Sequence, residues 1–127
     1  MTQSELQDVA SERLDIGLIA TKNKYCTFDA YSDDYVVELK CRRTHYDTQL
    51  IEYKKFSVNI DQADESGKEF LYIISTPSGD YIFNISKLYE DDYDFGWEYR
   101  SMPSNTDFSN KGNINKKVGY IDVMDAY

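Results

Sequence analysis

The stretch Cys26-Thr27-Phe28-Asp29-Ala30-Tyr31-Ser32-Asp33-Asp34-Tyr35-Val36-Val37-Glu38-Leu39-Lys40-Cys41-Arg42 decides the fold. Its second half, Tyr35 to Arg42, reads as a strand, because its side chains sort under a period of two. Tyr35, Val37, Leu39 and Cys41 fall on one apolar face. Val36, Glu38, Lys40 and Arg42 fall on the other, where a carboxylate stands beside an ammonium and a guanidinium. The first half belongs to a strand from Lys24 to Tyr31. It sets apolar Cys26, Phe28 and Ala30 against Thr27, Asp29 and Tyr31. A two-residue turn at Asp33-Asp34 puts Ser32 against Tyr35, Ala30 against Val37, Asp29 against Glu38 and Phe28 against Leu39. A slip of one residue would set Asp29 against the core side chain Val37. Burial therefore selects this register or one two residues away.

Directly opposed residues in such a pair have β-carbons about 4.5–5.5 Å apart. Two carboxylates that close repel by about 4 kcal/mol at 4 Å and an effective dielectric near 20. Lys40 offsets part of this. A divalent cation offsets more, and Mg²⁺ favours one or two carboxylates together with waters and phosphate oxygens. In that reading Asp29 and Glu38 hold Mg²⁺ or Mn²⁺, which polarises a phosphate and lowers the pKa of a bound water. Lys40 positions that water or stabilises the transition-state charge. A carboxylate from the first helix completes the set. The plainer account is a solvated sheet face with a cross-strand ion pair worth about 0.2–1 kcal/mol. It explains Glu38 beside Lys40 but accounts poorly for Asp29 opposite Glu38.

Working outward, Leu6, Val9, Ala10 and Leu14 recur at helical spacing, with Ser4 as a candidate cap. Glu5 and Glu12 lie near the same side of that helix. Gly17 to Thr21 is a first strand. A second helix is expected from about Tyr46 to Val58. Thr44 would be its N-cap, Asp47 its capping-box analogue, and Tyr46, Leu50 and Tyr53 its apolar face. Phe70 to Ser75 and Tyr81 to Ser86 read as a hairpin turned through Pro77-Ser78-Gly79-Asp80. Trp97 to Ser101 and Lys117 to Val123 read as further strands, with a Ser-, Asn- and Gly-rich loop between them. The element order gives an α/β (α+β) domain with a mixed central sheet flanked by helices and extra C-terminal strands. Residues 1–127 are read as one domain. Its core covers about 5–86, with 87–127 an extension packed on it.

Asp29 followed by Glu38-Leu39-Lys40 resembles the PD-(D/E)xK nuclease superfamily, in the style of phage-type and junction-resolving endonucleases. The likeness covers about Glu5 to Ser86. It departs from the named motif where Phe28, not proline, precedes Asp29. The resemblance implies a restriction-endonuclease-like core and Mg²⁺- or Mn²⁺-dependent cleavage of DNA, as an endo- or exonuclease of phage or mobile-element origin. It also implies a helical acid upstream of the strands, for which Glu5 fits best and Glu12 second, with Glu5 joining Asp29 and Glu38 at the metal. Related nucleases also place a helical polar residue near the metal, a role open to Gln49. Junction resolvers act as dimers, so the resemblance allows for a homodimer.

The tripeptide acid-x-lysine occurs twice, as Glu38-Leu39-Lys40 and Glu52-Tyr53-Lys54. The second falls on an expected helix and lacks a matched aspartate. Arg42, Arg43, Lys54 and Lys55, with Lys40, form the main cationic cluster, where DNA contact is expected. Against it stands a net charge of −9, since phosphate-backbone binders are usually basic. That acidity favours a second reading: a non-catalytic acidic protein-interaction or DNA-mimic module on a nuclease-like fold. The run Tyr89-Glu90-Asp91-Asp92-Tyr93-Asp94 is a solvated loop or such a surface.

Hydrophobic residues make up 41% of the 127, enough for one globular core. No apolar run is long enough to span a bilayer, and Met1-Thr2-Gln3-Ser4-Glu5 does not open a signal peptide. A cytoplasmic location (a host cell's cytoplasm for a phage protein) is the expectation, with no membrane partner. Cys26 and Cys41 fall on the core side of the hairpin and are expected to be buried thiols. His45, the single histidine, is expected at the start of the second helix.

Overall fold

The computed structural model describes residues 1–22, 26–103 and 113–126. The chain opens with helix α1 (Gln3–Leu14). Thr2, not Ser4, caps it. Glu5 N–H donates to Thr2 Oγ1 at 3.1 Å, and Thr2 N–H donates back to Glu5 Oε1 at 3.1 Å. Thr2-Gln3-Ser4-Glu5 has the spacing of a reciprocal capping box, which satisfies two orphan donors at once. Leu6 and Ala10 are the buried residues of α1.

Strands β1 (Ile19–Ala20), β2 (Ala30–Tyr31) and β3 (Tyr35–Cys41) follow. β2 pairs antiparallel with β3, Ala30 against Val37 and Tyr31 against Val36, the register that burial of the apolar residues requires. The expected strands 17–21 and 24–31 are cut to two residues each, and 23–25 lie outside the described residues. Alternation breaks before Ala30. Ala30 packs in one core cluster while Phe28 packs against the other. Cys26 is consequently half-buried and Cys41 exposed, so the expected pair of buried thiols is not formed.

The largest departure comes next. Residues 48–52 form strand β4 (Thr48–Glu52), and helix α2 (Tyr53–Glu65) begins only at Tyr53. Thr44 caps nothing. Glu52 is the N-cap residue, without a side-chain cap bond. The apolar face of α2 is Phe56, Ile60 and Ala63 rather than Tyr46, Leu50 and Tyr53. Strands β5 (Glu69–Thr76) and β6 (Gly79–Asn84) make the expected hairpin, Leu71 facing Asn84 and Thr76 facing Gly79. Asn84 ends β6 by capping a short helix α3 (Ile85–Glu90), its Oδ1 accepting from Lys87 N–H at 3.0 Å. β7 (Glu98–Pro103) and β8 (Asn113–Asp122) follow, and a 3₁₀ turn covers Val123–Asp125. The loop expected between β7 and β8 lies outside the described residues.

Two sheets result. The central one has the order β1-β2-β3-β5-β6, with β3 and β5 parallel and the other pairs antiparallel. The second has the order β4-β8-β7 and is antiparallel. α1 covers the face of the central sheet carrying Val37, Leu39, Leu71 and Ile73. Val36, Tyr72 and Ile74 on the other face join Phe56, Ile60 and Ala63 of α2 with Ile51 and Ile121 of the second sheet. A parallel pair covered on both faces reads as a continuous apolar run, and seven of the eight residues of β5 are buried. The face of β3 bearing Glu38 and Lys40 is therefore covered, not solvated.

Candidate active site

Glu38 is in the middle of β3, directly beside Tyr72 of β5, and only 5% exposed. Asp29 lies where β2 leaves the ladder. Its N–H donates to Val37 C=O at 2.8 Å, and its Oδ2 accepts from Leu39 N–H at 2.8 Å. The Asp29 carboxylate thus takes over a main-chain donor of β3, the two residues flanking Glu38 both being bonded to it. Asn59, fully buried on α2, fastens the preceding segment: Thr27 Oγ1 donates to Asn59 Oδ1 at 2.6 Å, and Asn59 Nδ2 donates to Thr27 C=O at 3.3 Å.

Lys55, on the first turns of α2, donates to Glu38 Oε1 at 2.8 Å. Burial pushes the Glu38 carboxyl up to about 7, and Asp29 pushes the same way. The Lys55 hydrogen bond and the charges of Lys55 and Lys40 oppose that rise without cancelling it. Burial lowers Lys40, with Arg42 and Lys55 adding to the shift and Glu38 and Glu52 resisting it. Burial also works against the charge on Lys55, but its bond to Glu38 and the nearby carboxylates outweigh this and raise it.

Glu38 and Lys55, but not Lys40, line a groove of about 760 Å³ between α2 and the second sheet. Asp29 and Glu38 line it with Glu52, Lys54 and Lys55, and β8 contributes Lys116 and Lys117. Glu52 accepts from Lys116 Nζ at 2.9 Å. Sequence reasoning set Glu52-Tyr53-Lys54 aside as helical and passed over Lys116, Lys117 and Asn59. Hydropathy gave no signal for Glu52: polar Gln49 and apolar Ile51 are buried, whereas apolar Leu50 and charged Glu52 are half-buried.

Other expected site residues lie elsewhere. Neither Glu5 nor Glu12 is among the residues lining the groove. Glu5 is consumed in the α1 cap, where its bonds to Thr2 hold its carboxyl below the usual range. α1 itself packs on the opposite face of the central sheet from Glu38. Gln49 is on a strand, not a helix, and is 2% exposed, its amide donating to Tyr46 C=O at 2.6 Å. Arg42 is half-buried and donates to Leu50 C=O at 3.3 Å and Tyr72 Oη at 3.4 Å. Arg43 is exposed beyond β3. His45 is bonded through Nδ1 to Thr76 Oγ1 at 2.9 Å.

Among the described residues no cluster of three or more His, Cys, Asp or Glu makes a ready metal cage. Two carboxylates suffice for Mg²⁺ or Mn²⁺ when water and phosphate complete the shell. Asp29 Oδ2 and Glu38 Oε1 are engaged in the bonds above, leaving one oxygen on each for such an ion. That donor set fits a divalent cation.

The fold is similar to that of a solved Holliday junction resolvase. It superposes on Hjc, a Holliday junction resolvase from the archaeal hyperthermophile Archaeoglobus fulgidus, with a TM-score of 0.55. The match covers 94% of this chain and 83% of that one, at 14% sequence identity. No protein-family model and no curated protein sequence matches the chain. The resolvase fold agrees with the expected mixed sheet flanked by helices. Identity this low carries the fold and leaves the chemistry to the groove itself. No helix among the described residues is long and apolar enough to cross a membrane.

Proposed function

We propose that the protein is a metal-dependent nuclease that hydrolyses DNA phosphodiester bonds. The observation that carries this is that Asp29 and Glu38 line one groove together with four lysines. The similarity to a junction resolvase fold supports it. Asp29 and Glu38 would hold Mg²⁺ or Mn²⁺. Such an ion would supply Lewis-acid polarisation of the scissile phosphate and a water of lowered pKa. Lys40, whose ammonium is already less stable than usual, stabilises charge on the phosphate oxygens or orients the attacking water. Lys55 holds Glu38 Oε1 at 2.8 Å and so fixes that carboxylate in the groove. The third carboxylate of the groove is Glu52, in place of Glu5 or Glu12 from α1.

A cleavage assay with Mg²⁺ on plasmid and branched DNA tests this. Glu38→Ala and Lys40→Ala should abolish cutting while the far-ultraviolet circular dichroism stays that of wild type. Normal cleavage by both variants would place any activity elsewhere. Titration calorimetry with Mn²⁺ provides a separate check. The wild type should bind and Asp29→Ala should not, and absence of wild-type binding removes the enzyme reading.

The net charge of −9 and the exposed carboxylates Asp91, Asp92 and Asp94 beyond α3 favour the second reading, an acidic module binding a basic partner. It predicts no metal binding and no cleavage, with association that weakens as salt rises.

A further inference from the structure

We propose that the groove takes an unpaired DNA strand, with Tyr99 stacking on a base and Lys54 and Lys117 holding phosphates beside the carboxylates. This rests on the nuclease reading for the atoms to which the strand is delivered.

Charge distribution is the first argument. Four lysines, Lys54, Lys55, Lys116 and Lys117, line the groove against three carboxylates, Asp29, Glu38 and Glu52. The lining is locally positive in a chain whose net charge is −9. Lys55 and Lys116 are engaged by Glu38 and Glu52. Lys54, exposed on α2, and Lys117 on β8 remain to meet phosphate.

The second argument is the aromatic group beside those cations. Tyr99 lines the groove and is 75% exposed. One exposed tyrosine on a protein surface is ordinary. This one is the cross-strand partner of Lys117, so ring and ammonium project from the same face of the β7–β8 ribbon. Lys117 Nζ is itself 4.1 Å from the centre of the Tyr53 ring, another groove residue. Alternating rings and cations along a groove suit the bases and phosphates of a single strand.

Depth is the third. Glu38 is 5% exposed, below walls made by α2 on one side and the ribbon on the other. β4 pairs with β8 only from Val118 onward, because the chain turns into α2 after Glu52. The segment from Ile114 to Lys117 therefore runs on beside β7 alone and forms the wall. A flexible strand can lower its backbone between such walls. The phosphates of a rigid duplex are held at the rim by their paired partner strand.

Fluorescence anisotropy in EDTA separates binding from cutting. The probes are a short labelled single-stranded DNA and the blunt duplex of the same sequence. The wild type should bind the single strand about tenfold tighter than the duplex. Tyr99→Ala should lose about tenfold on the single strand, and Tyr99→Phe should stay within about twofold. Lys117→Ala should reduce the slope of log affinity against log salt by about 0.7. Equal binding of strand and duplex, or wild-type binding by Tyr99→Ala, overturns the proposal. A protein that cuts duplex DNA equally well with Tyr99→Ala also overturns it and leaves the nuclease reading standing. Tyr99-dependent strand binding with no cleavage under any divalent metal upholds the groove assignment and removes the nuclease reading alone.

Discussion

Lys55 Nζ is 2.8 Å from Glu38 Oε1, joining the first turns of α2 to the centre of β3. The carboxylate end is almost wholly buried while the lysine side chain is 47% exposed. The two ends are therefore unequal: Glu38 depends on the contact for compensation, whereas Lys55 keeps water. The sequence reading set Lys40 beside Glu38 and grouped Lys55 with the cationic cluster, missing this pair because Lys55 reaches the site from a different element.

Removing that contact should matter most when Glu38 is ionised. Lys55→Ala should destabilise the fold by about 1 kcal/mol at about pH 8, the half-exposed lysine limiting the loss. At about pH 5.5 the loss should be smaller, because a neutral Glu38 no longer needs the ammonium. Urea denaturation of both proteins at the two pH values measures it. An equal loss at both would mean that Lys55 acts through packing.

Glu38 also sets the pH dependence of the wild type. Its folded carboxyl is raised to about 7 from 4.5, so the folded state holds its proton more tightly than the unfolded state. The stability this contributes is fully present below about 4.5 and is lost as pH rises through about 7, by roughly 3 kcal/mol at most. Glu38→Gln should flatten the profile in that window. Mg²⁺ should restore wild-type stability at the alkaline end and not at the acid end, since the ion needs the ionised carboxylate. Thermal melts across pH, with and without Mg²⁺, read both effects.

Arg42 was expected at the DNA, and its bonds to Leu50 C=O and Tyr72 Oη tie β4 to the central sheet instead. Arg42→Ala should cost about 1–2 kcal/mol of stability. Its effect on single-strand affinity should be less than that of Lys54→Ala. The reverse order in an anisotropy titration would return Arg42 to the substrate.

Gly119 of β8 tests the packing of the second sheet. A β-carbon there would stand 2.8 Å from the Trp97 ring and 3.0 Å from Phe95 Cβ. Trp97 is packed in turn against Tyr53, Phe56 and Phe95, so it has little room to move. Gly119→Ala should cost about 1–3 kcal/mol through overpacking. Since Tyr53 borders the groove, the same variant should weaken strand binding. Unchanged stability would show that the aromatic cluster yields.

The residues alone determined the local parts of this protein. Period-two alternation picked out β3, and burial set its register with β2. The turn at Pro77-Ser78 set the β5–β6 hairpin, and apolar spacing found α1. These rest on neighbours in sequence, whose side-chain periods and turn chemistry are local properties. Tertiary structure decided the rest. Residues 48–52 became a strand because β8, some seventy positions on, offers them a ladder from Thr48–Asp122 to Glu52–Val118. Local propensity cannot register such a partner. That pairing displaced the start of α2 to Tyr53, aimed Lys55 at Glu38, and brought Glu52, Lys116 and Lys117 into one groove. It also covered the face of β3 that carries Glu38 and Lys40. That burial, together with the charge of Asp29, is what raises the Glu38 carboxyl.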